Sequence, residues 1–458
     1  MSGRTSPLAP ALLSLLLAGC SWSRFGDITE NAPVEFLNRP SSMQTGFGVS
    51  LLAGGSEGSK RLLAGGEPGT SNVAMFDLGK GESPNLDALA SNYCSGGAAG
   101  DCFLGFSVAY LPRTLFPEGR GEHTECVALG LGESPLEGAG VFIECRDGAS
   151  VTRPVPSEYQ EDVEFAFDVE QNEQIAIAGD GAEEPALLVG ATHPRLAWYY
   201  LPGSTTPIRL VPPVIQGPSS GYGTTVAVVP LAASSWLFAV GAPSGDAVHL
   251  FRADEDVASY VGCLGGTPDF GRALAIGKVP GTETPEIGDA VADLVVSDRS
   301  TVYVFDGARL ATLPPATGVS CTLAALPERT LLGSFGCGST PETQECSSSD
   351  FGASLAVGDV DGDGDGEVLV GAPQMTVYGE HGVGAVLIYD VERLGDGELS
   401  DLRFIASGEP GDALGGSVAA VSIGDRDLIV GGLPRAGKVG LFYCSSLVPG
   451  EKRGSRCE

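Results

Sequence analysis

The chain has 458 residues, with 58 acidic against 26 basic side chains and a formal charge of -32. That balance excludes nucleic acid and anionic membrane surfaces as partners, since both call for clustered Lys and Arg, and it suits solubility in calcium-rich surroundings outside the cell. With 67 Gly, 31 Pro, 43% hydrophobic residues and no long amphipathic period, the composition excludes a helical bundle and implies many short strands and turns around an ample core.

Arg4 is the one charged residue before the apolar stretch from Leu8 to Leu17, which runs into Leu17-Ala18-Gly19-Cys20. Residues 1–19 have the form of a secretory signal. Its last three positions together with Cys20 resemble the lipobox of bacterial lipoproteins. The resemblance implies cleavage before Cys20, a lipidated N-terminus on that residue and a short tether over 20–32. Ser21 does not match the Asp associated with inner-membrane retention, so the expected location is the outer membrane or cell surface. Membrane attachment would then be through the lipid alone. An ordinary cleaved signal followed by an incidental Cys is the competing reading.

Beyond the tether, Val34-Glu35-Phe36-Leu37 reads as a strand, and a repeat begins at Phe47-Gly48. The first copy continues through Leu51-Leu52 to Leu62-Leu63-Ala64-Gly65-Gly66. The second pairs Leu104-Gly105 and Ser107-Val108-Ala109 with Val127-Ala128-Leu129-Gly130. The third runs from Asn172-Glu173 through Ile175-Ala176-Ile177 to Leu187-Leu188-Val189-Gly190-Ala191. The fourth begins at Tyr222-Gly223 and reaches Gly241-Ala242-Pro243. Its stretch from Thr224 to Pro243 is uncharged and approaches a membrane span in length. Pro230 and Ser234-Ser235 interrupt it, however, and predict a turn between two buried strands. The fifth runs from Phe270-Gly271 to Asp293-Leu294-Val295-Val296-Ser297, the sixth starts at Phe351-Gly352, and the seventh spans Leu414-Gly415 to Gly431-Gly432. Starts at 47, 104, 172, 222, 270, 351 and 414 leave room for four short strands per copy.

The sixth copy carries the chemistry. Asp359, Asp361, Asp363, Asp365 and Glu367 alternate with other residues, and Gly362, Gly364 and Gly366 let the chain curl. Ligands at alternate positions of one short loop suit calcium, which takes six to eight oxygens. The pattern is like an EF-hand loop, but Val370 occupies the twelfth position, leaving Glu367 as the substitute acidic ligand. The loop continues into Val368-Leu369-Val370-Gly371-Ala372-Pro373, a strand and turn, so it joins two strands where an EF-hand would enter a helix. In the fifth copy Lys278 replaces the first ligand, while Asp289 and Asp293 match the fifth and ninth. Copies one, four and seven lack the cluster. One firm calcium site is expected, stiffening the strands that its loop joins.

Together, the Phe-Gly start, the acidic loop and the closing Gly-Ala-Pro of residues 351–373 resemble the FG-GAP repeat, which builds the β-propeller of integrin α subunits. The resemblance implies an all-β, seven-bladed propeller over 33–446, its ring closed by the N-terminal strand, with a tail at 447–458. Integrin ligands do not carry over, because the additional domains and β partner of that family are missing from the pattern.

Ten cysteines follow Cys20, an even number in a chain with an export signal, so disulfides are the expected state. Connectivity is open. Candidate pairs are Cys94 with Cys102, Cys126 with Cys145, Cys263 with Cys321, Cys337 with Cys346, and Cys444 with Cys457. No C-x-x-C pair is present to favour zinc. The four histidines, His123, His193, His249 and His381, are expected in or beside loops, none in an H-x-x-x-H arrangement. Residues 54–58 and 217–221 match G-x-S-x-G only as turns, without the strand-to-helix elbow that a nucleophile requires.

The sequence therefore points to a non-enzymatic, calcium-stabilised, lipid-anchored module that presents a loop face to a protein or carbohydrate ligand. Two alternatives remain open at this stage: a secreted polysaccharide lyase or hydrolase on a propeller scaffold, and an envelope-assembly scaffold.

Overall fold

β-branched and aromatic side chains favour a pleated surface covered on both sides, and the apolar runs of the repeats form strands accordingly. The computed structural model describes residues 34–38, 50–54, 61–64, 72–77, 85–90, 104–114, 123–131, 140–145, 150–154, 175–179, 186–191, 195–201, 204, 206–213, 221–232, 235–254, 257–279, 291–316, 321, 331–336, 349–360, 364, 366–376, 380–389, 402–405, 409–423 and 426–442.

The first strand, β1, is Val34–Asn38. A first sheet holds Leu51–Gly54 (β2), Arg61–Ala64 (β3), Asn72–Asp77 (β4) and Asn85–Ala90 (β5). The second holds Leu104–Thr114 (β6), His123–Leu131 (β7), Gly140–Cys145 (β8) and Ser150–Pro154 (β9). In the third are Ile175–Gly179 (β10), Leu187–Ala191 (β11), Leu196–Tyr200 (β12) and Ile208–Leu210 (β13). The fourth comprises Thr225–Ala232 (β14), Ser235–Ala242 (β15), Ala247–Asp254 (β16) and Val257–Gly265 (β17). The fifth comprises Leu274–Gly277 (β18), Asp293–Ser297 (β19), Thr301–Phe305 (β20) and Leu331–Gly336 (β21). Ser354–Gly358 (β22), Glu367–Ala372 (β23), Ala385–Tyr389 (β24) and Leu402–Ile405 (β25) make the sixth. The seventh has Val418–Ile423 (β26), Arg426–Leu433 (β27) and Lys438–Phe442 (β28).

All seven are small antiparallel sheets of four strands, and no closed barrel occurs among the described residues. Six run in chain order. The seventh takes β1 as its fourth strand, in the order β1-β28-β27-β26, with Val34 opposite Phe442 and Asn38 opposite Lys438. The leading strands touch in succession: β2 meets β6, then β10, β14, β18, β22 and β26 follow pairwise, and β26 meets β2.

The core lies between sheets, and the strand period of two explains it. On β23, Val368 and Val370 pack against Val295 and Val304 of the fifth sheet. Leu369, between them in sequence, packs against Leu414, Val418 and Ile429 on the seventh-sheet side. On β15, Trp236, Phe238 and Val240 join the third sheet's Leu188 and Tyr199, while Leu237 and Ala239 join the fifth sheet's Leu294 and Val296. A second strand buried on both faces reads as an unbroken apolar run, as these do.

Helix is limited, among the described residues, to a 3-10 turn at Pro243–Gly245 and one short helix, Gly307–Ala311 (α1). The Asp306 carboxylate caps α1 by accepting from the Arg309 amide at 2.8 Å. No described helix is long and apolar enough to cross a membrane.

Two local expectations are corrected. Pro230 does not end its strand. It lies within β14 opposite Trp236, next to a register shift between Pro230 and Ala232 that accommodates a residue without an N–H, and the strand runs on to Ala232 before β15 begins at Ser235. His249 is not a loop residue. Flanked by Val248 and Leu250 in β16, it is 2% exposed, because this stretch of the strand is covered on both faces.

Candidate functional site

Tight sheet contacts frame the acidic loop of the sixth sheet. Phe351 is fully buried, its ring edge-on to Tyr389 with centroids 6.3 Å apart. Gly352 has φ +76°, and a Cβ there would stand 2.8 Å from the Asp298 carbonyl oxygen of the fifth sheet. Gly371 has no room either, since a Cβ would fall 2.1 Å from the Gly415 carbonyl oxygen of the seventh sheet. The two glycines of the repeat are thus the points where neighbouring backbones meet. The same approach recurs between Gly241 and the Gly271 carbonyl. Where the fifth sheet has Ser297 in place of the second glycine, its hydroxyl donates to the Gly352 carbonyl at 2.8 Å.

The loop itself leaves β22 after Gly358 and enters β23 at Glu367, which lies opposite Gly358 in the antiparallel pair. It joins two strands, as its sequence predicts. The Gly364 amide donates to the Asp359 carboxylate at 3.0 Å, with Gly364 at φ +99°, so the sixth position curls back over the first. Glu367 is buried, and its carboxylate accepts from the Val360 amide at 2.8 Å. Asp359 and Glu367 therefore converge on one turn; Asp361, Asp363 and Asp365 lie outside the described residues.

In the fifth sheet, Asp293 occupies the place of Glu367 and accepts from the Val279 and Gly307 amides at 3.2 and 2.9 Å. A bond from the second loop position to the ninth is present in both copies. With Lys278 at the first position, the fifth loop keeps this internal bond and loses its leading acid; Asp289 lies outside the described residues.

Sequence reasoning missed the links between loops. The Asp427 amide donates to the Asp359 carbonyl at 2.6 Å, and the Asp359 amide donates to the Asp427 carboxylate at 3.0 Å. On the other side, the Gly366 amide donates to the Lys278 carbonyl at 2.9 Å. The acidic turn is thereby fastened to both neighbours, so its rigidity bears on two interfaces as well as its own sheet. The only available signal was the alternation of Asp425 and Asp427 in the short seventh hairpin, which reads as an ordinary acidic turn.

Two of the five candidate cysteine pairs fall among described residues, and both are disulfides. Cys126 and Cys145 face each other on β7 and β8 with Cα atoms 3.9 Å apart. Cys263 of β17 bonds Cys321 across a Cα distance of 4.9 Å. Cys20, Cys94, Cys102, Cys337, Cys346, Cys444 and Cys457 lie outside the described residues.

His249 stands beside the second disulfide, with its Nδ1 3.3 Å from the Tyr260 hydroxyl and its ring 5.4 Å from that of Tyr222. Burial holds its pKa down at about 4, because the charged ring would lose its hydration. Burial likewise raises the Tyr260 hydroxyl to about 12.

Comparison with known proteins gives one family likeness, confined to the sixth sheet. Residues 351–389 match the FG-GAP repeat family. The match runs from Phe351 through the acidic loop to the end of β24. An FG-GAP repeat fits a β-propeller interaction module, and the many small antiparallel sheets agree with it. No curated protein matches the chain. Among solved structures, a functionally unknown protein from Desulfotomaculum acetoxidans DSM 771 is similar at 9% identity and a TM-score of 0.38, over 78% of this chain and 90% of that one.

Proposed function

We propose that the chain is a seven-bladed β-propeller, closed at its last blade by β1, that acts as a calcium-stabilised, non-enzymatic binding module for a protein or carbohydrate partner. The observation that carries this reading is the FG-GAP repeat at 351–389 with its acidic strand-to-strand loop. The cyclic series of touching leading strands, ending with β26 on β2, supports the ring. Calcium fits the donor set, which is all oxygen and arranged on a chain that turns back on itself at Gly364. Asp359, Asp361, Asp363, Asp365 and Glu367 would hold the ion, which would supply charge neutralisation and rigidity there. Loops of unequal length at the blade ends would provide the partner face, and lipid on Cys20 would hold the module at the outer membrane or cell surface.

The test is to present the mature protein to panels of extracellular proteins and polysaccharides, and to assay the same polysaccharides for cleavage. Saturable binding of one class without turnover is expected. Catalytic depolymerisation would sink the non-enzymatic reading. Radiolabelled palmitate should enter the wild type and not Cys20→Ala; equal labelling would remove the anchor.

A further inference from the structure

We propose that His249, Cys263 and Cys321 form a second metal site, for a thiophilic divalent cation of the zinc class, which the Cys263–Cys321 disulfide keeps closed and a dithiol reductant opens. One ligand atom from each of the three side chains lies within 4.8 Å of the others. A tetrahedral ion with Zn–N near about 2.0 Å and Zn–S near about 2.3 Å needs only such a span, with small rotamer adjustments. His249 and Cys263 are direct cross-strand partners on β16 and β17, so the sheet itself fixes two of the three ligands on one face. Cys321 arrives from the chain beyond α1 and is only half-buried, whereas the other two are buried, which gives an ion its way in.

The surroundings suit an imidazole ligand. The Tyr260 hydroxyl, 3.3 Å from Nδ1, is the kind of outer partner that fixes the ring of a metal-bound histidine. The set of one nitrogen and two sulfurs is soft, unlike the all-oxygen turn of the sixth sheet, so the two sites select different ions. Water would complete four-coordination. Sequence spacing hides this site, since the ligands come from two paired strands and a distant segment and make no C-x-x-C.

The chemistry balances through thiol–disulfide exchange. A small dithiol gives two electrons and two protons to the Cys263–Cys321 bond, leaving two thiols and the reductant's own disulfide. The cation then displaces the two thiol protons and takes a lone pair from the neutral imidazole.

The experiment titrates cobalt(II), as a spectroscopic stand-in for zinc, into the oxidised and the dithiol-reduced full-length mature protein. The expected result is one tetrahedral site with thiolate-to-cobalt absorption in the reduced protein alone. That absorption is lost in Cys321→Ser, and the affinity falls at least about tenfold in His249→Gln. As a readout on the unmutated chain, zinc should protect Cys263 and Cys321 from alkylation, as mapped by peptide mass spectrometry. Cobalt spectra unchanged by Cys321→Ser, absence of zinc protection at these two thiols, or a reduced protein that unfolds with or without metal would each overturn the proposal.

Discussion

Replacing Gly371 by Ala probes the meeting of neighbouring sheets that the repeat builds. The added Cβ would stand 2.1 Å from the Gly415 carbonyl oxygen and 2.2 Å from the Ser354 hydroxyl. Ordinary contact at 3.4 Å requires a displacement of about 1.3 Å. The carbonyl cannot swing aside, because the Gly415 amide is bonded to the Gly432 carbonyl at 3.0 Å and the seventh sheet moves with it. Overpacking of this kind costs about 1–3 kcal/mol. Loss of the Ser354 hydroxyl bond to the Gly415 carbonyl, 3.0 Å long, adds about 1 kcal/mol. The sum is about 2–4 kcal/mol, read as the shift in urea midpoint times the slope, with buried Trp198 and Trp236 as fluorescent reporters. Ser354→Ala alone should cost about 1 kcal/mol. A Gly371→Ala protein within about 0.5 kcal/mol of wild type would refute the close approach of the sixth and seventh sheets.

Asp427→Ala removes the carboxylate that accepts the Asp359 amide and should cost about 1–3 kcal/mol in the same urea assay. It should also weaken calcium binding by about 10–100-fold in calorimetry, while Asp427→Asn, which keeps an acceptor, retains most of both. His249 supplies a pH dependence in the oxidised, metal-free protein. Its folded pKa of about 4 lies below the ordinary 6.5, so above pH 6.5 both folded and unfolded states are neutral and stability is unaffected. As pH falls from 6.5 towards 4 the unfolded chain takes up the proton first. About 3 kcal/mol is lost across that window and the loss levels off below it. Urea melts at several pH values should show this slope in wild type and not in His249→Gln.

Much of the architecture was legible because each strand period and turn repeats. The runs at Leu187–Ala191 and Asp293–Ser297 are strands with those ends. Val34-Glu35-Phe36-Leu37 pairs with the last strand of the seventh sheet, as the family resemblance implied. What sequence could not reveal are the consequences of neighbours. Pro230 looked like a stop because its missing N–H is costly in a ladder, yet a register shift absorbs it. A histidine is polar in any linear reading, and only the pairing of β16 with β17 shows that His249 faces Cys263 inside the fold. At the acidic turn, alternation of carboxylates was visible in one copy, whereas the bonds to Asp427 and Lys278 join sheets far apart in sequence.

The most direct test of the central claim is calorimetric titration of calcium into the mature protein, with thermal melts in calcium and in chelator, on wild type and on Asp361→Ala with Asp363→Ala. One strong site, absent from the double variant, and a melting temperature that rises with calcium only in wild type are predicted. A folded wild type that binds no calcium would contradict the claim.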